Sequence, residues 1–151
     1  MSSMTEASYI SAKGLILGFI GGFVATVVFH QLTLLGLNKA GIANAQLWVM
    51  TPTQPFGVPR IISLAFWGGV FGLFYPLLQA RFSGGAFLIV GIIFGAIVPT
   101  LCSWYIVNAI RGVPLGPNGG WVLPTVLIGP IVNGAWGLGT ALFLMLFNKP
   151  R

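Results

Sequence analysis

Four apolar runs alternate with polar or Pro/Gly-rich links along the chain, at about residues 14–37, 60–80, 85–110 and 121–147. A helix rises about 1.5 Å per residue, so about 20 residues cross a hydrocarbon core of about 30 Å. Each run is that long and nearly free of charge. In the bilayer every backbone polar group needs an internal partner, so the runs read as helices. The expectation is an all-α, polytopic membrane protein: four transmembrane helices in a single domain over residues 1–151, with a Pro-rich outer loop between helices 1 and 2.

Small residues recur inside the runs at helical spacing. Gly14, Gly18 and Gly22 step along one face of the first run, with Gly21 and Ala25 alongside. The second and third runs share Gly-x-x-Phe-Gly-x-x-x-Pro, at Gly68/Phe71/Gly72/Pro76 and at Gly91/Phe94/Gly95/Pro99. Counted outward from the link at residues 81–85, Gly72 and Gly95 lie at similar heights, roughly 17 Å along their helices. Two antiparallel helices are therefore expected to meet there glycine against glycine. Pro76 and Pro99 should free the carbonyls of Gly72 and Gly95, because proline has no N–H to offer them. In the fourth run Thr125, Gly129, Asn133 and Gly137 form a stripe, Pro124 suits the first turn, and Pro130 should bend the helix. Asn133 is expected to be the most buried amide, bonding between helices. Trp67-Gly68 and Trp136-Gly137 match locally and raise the question of a duplicated hairpin. The Gly/Phe/Gly/Pro echo instead joins the second and third runs, so the repetition reads as convergent packing chemistry, with duplication the lesser reading.

A second stripe on the first run is polar: Thr26, His30 and Thr33, with Gln31 pointing elsewhere. Ionisable groups are costly at this depth and point to function by default. The plain reading of His30 is a neutral imidazole bonded to a neighbouring carbonyl or reaching headgroups. The sharper one is an axial ligand to a haem or chlorin, which for bis-histidine ligation needs a second chain. Residues 38–58 form a long connection with Trp48 suited to an interface. The prolines at positions 52, 55 and 59 prevent a regular helix there.

The chain is 56% hydrophobic and 5% charged, against about 25% charged in soluble domains. The formal charge of +6 comes from Lys13, Lys39, Arg60, Arg81, Arg111, Lys149 and Arg151, with Glu6 the one acid. These cations stand singly between apolar runs, which suits anionic lipid headgroups and not nucleic acid. Four crossings bring Lys13, Arg81, Lys149 and Arg151 to one side and Lys39, Arg60 and Arg111 to the other, a bias towards cytoplasmic termini. The first run is too long for a cleaved signal and should stay as an anchor.

Absences narrow the chemistry. No Asp or Glu lies in a run, which removes carboxylate proton relays. One His and Cys102 alone cannot build a zinc site or a disulfide. No base is oriented by an acid to activate a serine, and no phosphate-cradling loop occurs. No catalytic residues are assigned, and the chain is expected not to be an enzyme.

FHQLTLLGL at residues 29–37 and PFGVPRIISLAFWGG at residues 55–69 resemble a group of small, uncharacterised bacterial inner-membrane proteins. The resemblance covers about the first half of the chain. It implies a bacterial four-span protein and draws attention to His30, Gln31 and the Pro-rich link, but brings no activity with it.

The leading expectation is a non-catalytic accessory or assembly subunit without a cofactor. Its packing faces, at Gly14, Gly18, Gly22, Gly68, Gly72, Gly91 and Gly95, would take partner membrane proteins or a second copy, with membrane lipid around them. Thr26, Thr33 and Asn133 would be its intramembrane polar groups. The alternatives are a haem- or pigment-binding subunit using His30, and a small carrier or pore for a neutral or lipid-like solute whose site the Gly72 and Gly95 carbonyls would line.

Overall fold

Residues 8–149 are described by the structure, a computed structural model. Four helices are long and apolar enough to cross a membrane: α1 (Ala12–Lys39), α2 (Arg60–Arg81), α3 (Gly84–Ile110) and α4 (Thr125–Phe147). Only two residues, Phe82 and Ser83, join α2 to α3. The fourth helix begins later than the apolar run, because residues 121–124 belong to the preceding link and Pro124 caps the helix.

None of the long helices is uniform except α4, which passes through Pro130 without interruption. A π turn at Thr26–His30 divides α1, and another at Cys102–Val107 divides the far part of α3. The second helix breaks into Arg60–Gly72 and Tyr75–Arg81. That break follows from Pro76, which offers no N–H to the Gly72 carbonyl and whose ring opposes it. Pro99, in the same sequence pattern, sits inside a continuous helix.

The expected meeting of Gly72 with Gly95 does not occur. The second and third helices touch mainly through the Tyr75–Arg81 segment, while the close pairs are α1 with α2 and α3 with α4. A Cβ on Gly72 would collide with the Gly18 carbonyl oxygen, and one on Gly18 would lie 2.5 Å from the Gly72 carbonyl oxygen. One helical turn on, Gly22 faces the Gly68 carbonyl, and Gly68 faces Gly22 and the Thr26 hydroxyl. In the second hairpin Gly95 lies against the Asn133 carbonyl and Gly137, and Gly91 against Ala141 and Gly137. The geometry brings Cα–H groups onto carbonyl oxygens, as close helix pairs in membranes do. The Gly72 carbonyl is thus covered by α1.

The fourth helix joins the two pairs. Trp136 is buried and its indole N–H donates to the Gly22 carbonyl at 2.9 Å; the Thr26 hydroxyl donates to the same oxygen at 2.9 Å. Tyr75, fully buried, stands edge-on to Phe87, Phe94 and Trp136 and donates its hydroxyl to the Gly91 carbonyl at 2.7 Å. At the end that carries the chain termini, the buried amides Gln79 and Asn148 bond each other at 2.8 Å and also take up the carbonyls of Leu144 and Tyr9.

The two hairpins place their glycine contacts in a matching register. Leu15-Ile16-x-Gly18-x-Ile20-x-Gly22 in α1 reappears as Leu88-Ile89-x-Gly91-x-Ile93-x-Gly95 in α3. Gly22 against Gly68 corresponds to Gly95 against Gly137, and Gly18 against Gly72 to Gly91 against Ala141. Both first helices end on a glycine with positive φ, Gly41 at 72° and Gly112 at 65°. At the spacing that takes Gly22 to Gly95, Trp48-Val49 becomes Trp121-Val122. The Gly/Phe/Gly/Pro echo links helices that hold different places in the two halves and pack on different partners.

Gly22→Ala is expected to lose about 1–3 kcal/mol through collision with backbone, while Gly36→Ala, where nothing lies within 4 Å, should lose none. Unfolding by increasing SDS in mixed micelles reads both.

Candidate functional site

The two halves meet at the end that carries the long links, and there they leave a space. A cavity of about 190 Å³ lies between α1, α3 and α4, lined among others by His30, Thr100, Ser103, Trp104, Thr125 and Asn133. Asn118, in the link before α4, also lines it. Below it the bundle is filled by Trp136, Tyr75, Phe87 and Leu144. Both π turns reach this cavity, through His30 at the end of the first and Ser103 and Trp104 in the second. A π turn misaligns the helix ladder by one residue, and such turns gather at functional sites. By the spacing that relates the halves, His30 corresponds to Ser103 and Gln31 to Trp104.

Each long link is tied back to the π-turned helix it leaves. Trp48 donates its backbone N–H to the Gln31 side-chain oxygen at 2.9 Å and its indole N–H to the Val27 carbonyl at 2.9 Å. The Asn38 side chain exchanges two bonds with Ala45, at 2.7 and 3.0 Å. The prolines of this link form a two-residue antiparallel ribbon, Pro52–Thr53 with Val58–Pro59, at the start of α2. In the other half, buried Asn108 donates to the carbonyls of Pro114 and Gly116 at 3.1 and 2.9 Å, and the Gly116 N–H returns to the Trp104 carbonyl. Trp121 stands edge-on to Trp104, 5.4 Å between ring centres. The contact of Trp121 with Trp104 is thus the counterpart of Trp48 with Gln31.

Among the residues singled out from sequence, His30 meets Thr125, Gly129 and Asn133 of the fourth-run stripe at the cavity, while Gly137 packs on Gly91 instead. The Thr26/His30/Thr33 stripe is split by the π turn: Thr26 is buried against Gly68, while half-buried Thr33 returns its hydroxyl to the Phe29 carbonyl at 2.8 Å. Asn133 is half-buried, donating to the Thr100 hydroxyl at 2.9 Å. The most buried amides are instead Gln31, Asn108, Asn148 and Gln79. Gln31 does not point away from His30; its side-chain nitrogen lies 3.2 Å from the His30 Nδ1. Gly14 packs against Tyr9 and Asn148, so every glycine assigned to packing meets another part of the same chain. Among the described residues no three His, Cys, Asp or Glu gather as a metal site. Lys39, Arg60 and Arg111 stand around this end of the bundle with no acidic residue on these segments to pair them.

Comparison with family models, curated proteins and solved structures finds no match to this chain. What it does is therefore read from its own geometry.

Asn108→Leu removes both donors to the second link. The expected result is a loss of about 1–3 kcal/mol and faster hydrogen exchange at the Gly116 amide, with exchange in α1 unchanged. Exchange mass spectrometry in detergent checks it.

Proposed function

We propose that this chain is a non-catalytic multi-pass membrane protein that binds a neutral or lipid-like molecule in the cavity between its two halves, as a small carrier or holder for that molecule. The observation that carries the reading is the position of the cavity. It lies where two equivalent hairpins meet, and the interrupted stretch of each first helix contributes to its wall. Carriers built from repeats place their sites at the repeat interface and form them from discontinuous helices. The filled core beneath the cavity supports a holding or carrying role over an open pore. Trp48, Trp104 and Trp121 stand at this level, and tryptophan favours the depth where headgroups give way to tails.

An accessory subunit that offers glycine faces to partners or to a second copy has less support, because those faces pack against each other within the chain. Its remaining support is the apolar outer surface, which lipid covers equally well. The resemblance carried by residues 29–37 and 55–69 supports a bacterial inner membrane, and the distribution of basic residues supports both termini in the cytoplasm with the cavity end outward.

Gly129 faces Thr100 and Trp104 across the cavity, where an added Cβ would press on the Thr100 methyl at 3.1 Å and that side chain would have to give by a few tenths of an ångström. A leucine there would occupy the space a ligand needs. Protein purified gently from membranes is expected to release a bound small molecule on organic extraction, detected by mass spectrometry, and Gly129→Leu to release several-fold less at unchanged folding. Equal yields from both proteins, or none from either, would count against the reading.

A further inference from the structure

The chemistry the cavity presents follows from a chain of three residues. The backbone N–H of Trp48 only donates, so the Gln31 atom 2.9 Å away must be the amide oxygen. That fixes the amide: the atom 3.2 Å from the His30 Nδ1 is the Gln31 nitrogen, which also donates. Nδ1 must then carry its lone pair, and the neutral ring carries its proton on Nε2. Among the described residues Nε2 has no partner within the chain, and His30 lines the cavity. Gln31 itself is buried, so water does not compete freely for its amide.

Resting on the cavity being a binding site, we infer that Gln31, oriented by Trp48, holds His30 as the Nε2–H tautomer, so that the site takes its ligand by donating to a carbonyl oxygen. The ligand class is a membrane-soluble molecule with a ketone, quinone or ester carbonyl. The ester of a glycerolipid and a free carbonyl compound share this chemistry. Axial ligation of iron by Nε2 needs the opposite tautomer, with a bare Nε2, and would set the Nδ1 proton against the Gln31 amide protons. The outer position of the cavity, level with tryptophans, matches the depth of lipid ester groups. Gln31 is a positioning residue in this scheme, acting through His30.

His30 is the sole histidine, so 15N-histidine labelling gives one imidazole and its two-bond proton–nitrogen pattern reports the tautomer directly. In lipid nanodiscs the unmodified protein should show the Nε2–H pattern alone. Gln31→Met, similar in shape but without a donor, should show a mixture with the Nδ1–H form. An Nδ1–H or doubly protonated ring in the unmodified protein, or identical patterns in both proteins, would overturn the inference while leaving the cavity reading standing. If Gln31→Met does not fold, the pattern of the unmodified protein still decides. Acetophenone and α-methylstyrene, which differ in C=O against C=CH2, then probe the ligand class. The expected result is a shift of the Nε2 resonance with acetophenone and none with α-methylstyrene. Equal shifts would remove the carbonyl preference. A change on replacing ester-linked with ether-linked phosphatidylcholine, without added compound, identifies the lipid ester as the source; a response to acetophenone alone identifies a free compound. No response to any of these, with the tautomer as expected, would overturn the cavity reading and the ligand class that rests on it.

Discussion

The bundle depends on carbonyl oxygens lying directly against glycine α-carbons. Lipid tails are as apolar as leucine, so burying leucine between helices gains little in a membrane, and close approach has to supply the attraction. Gly18 against Gly72 and Gly22 against Gly68 bring α1 and α2 to backbone contact, and Gly91 and Gly95 do the same for α3 on Ala141 and Gly137. A methyl group at Gly18, Gly22, Gly72 or Gly95 meets backbone, which cannot turn aside as a side chain would, whereas at Gly68 it first meets the Thr26 hydroxyl and at Gly91 the Ala141 and Tyr75 side chains. The Gly22 carbonyl also accepts from Thr26 and Trp136. One oxygen therefore takes part in the α1–α2 contact and in the tie from α1 to α4.

From this constraint the cavity follows. The glycine contacts draw the helices together in the middle of the bundle and towards the chain termini, where Gln79 and Asn148 complete the closure. Nothing comparable pulls α1 onto α3 at the other end. There the first helix of each half loosens into a π turn, and the links fold back on those turns. The polar groups that remain, His30, Ser103 and Asn133 among them, face a common space. The tight end and the open end are thus products of one distribution of small residues.

Much of this architecture was legible in the sequence. Apolar run length gave the four crossings, proline density the absence of helix in the first link, and Pro76 the broken second helix. The glycines were rightly read as packing residues, but a glycine does not name its partner. Gly72 and Gly95 stand at matching heights and yet face opposite ways, each onto the other helix of its own hairpin. The π turns were not legible, because no residue type demands one; they appear where Trp48 and the second link supply partners from elsewhere in the chain. Gln31 stood out only through the resemblance, and Gln79, Asn108 and Asn148 carried no signal in the sequence. Their burial depends on which backbone groups the fold brings beside them: the Trp48 N–H for Gln31, and carbonyls for the other three. The matching stretches Leu-Ile-x-Gly-x-Ile-x-Gly and Trp-Val stand in the sequence, beside a longer echo between α2 and α3 that joins helices with different contacts.

Trp136 follows Gly22 by 114 residues, and synthesis runs from the first to the last. The α1–α2 hairpin is therefore made with the Gly22 oxygen short of one donor, and stays so until α4 has been synthesised. Closure of this contact waits on the fourth helix. A nascent chain stalled before Trp136 holds that hairpin without the latch that ties it to α4.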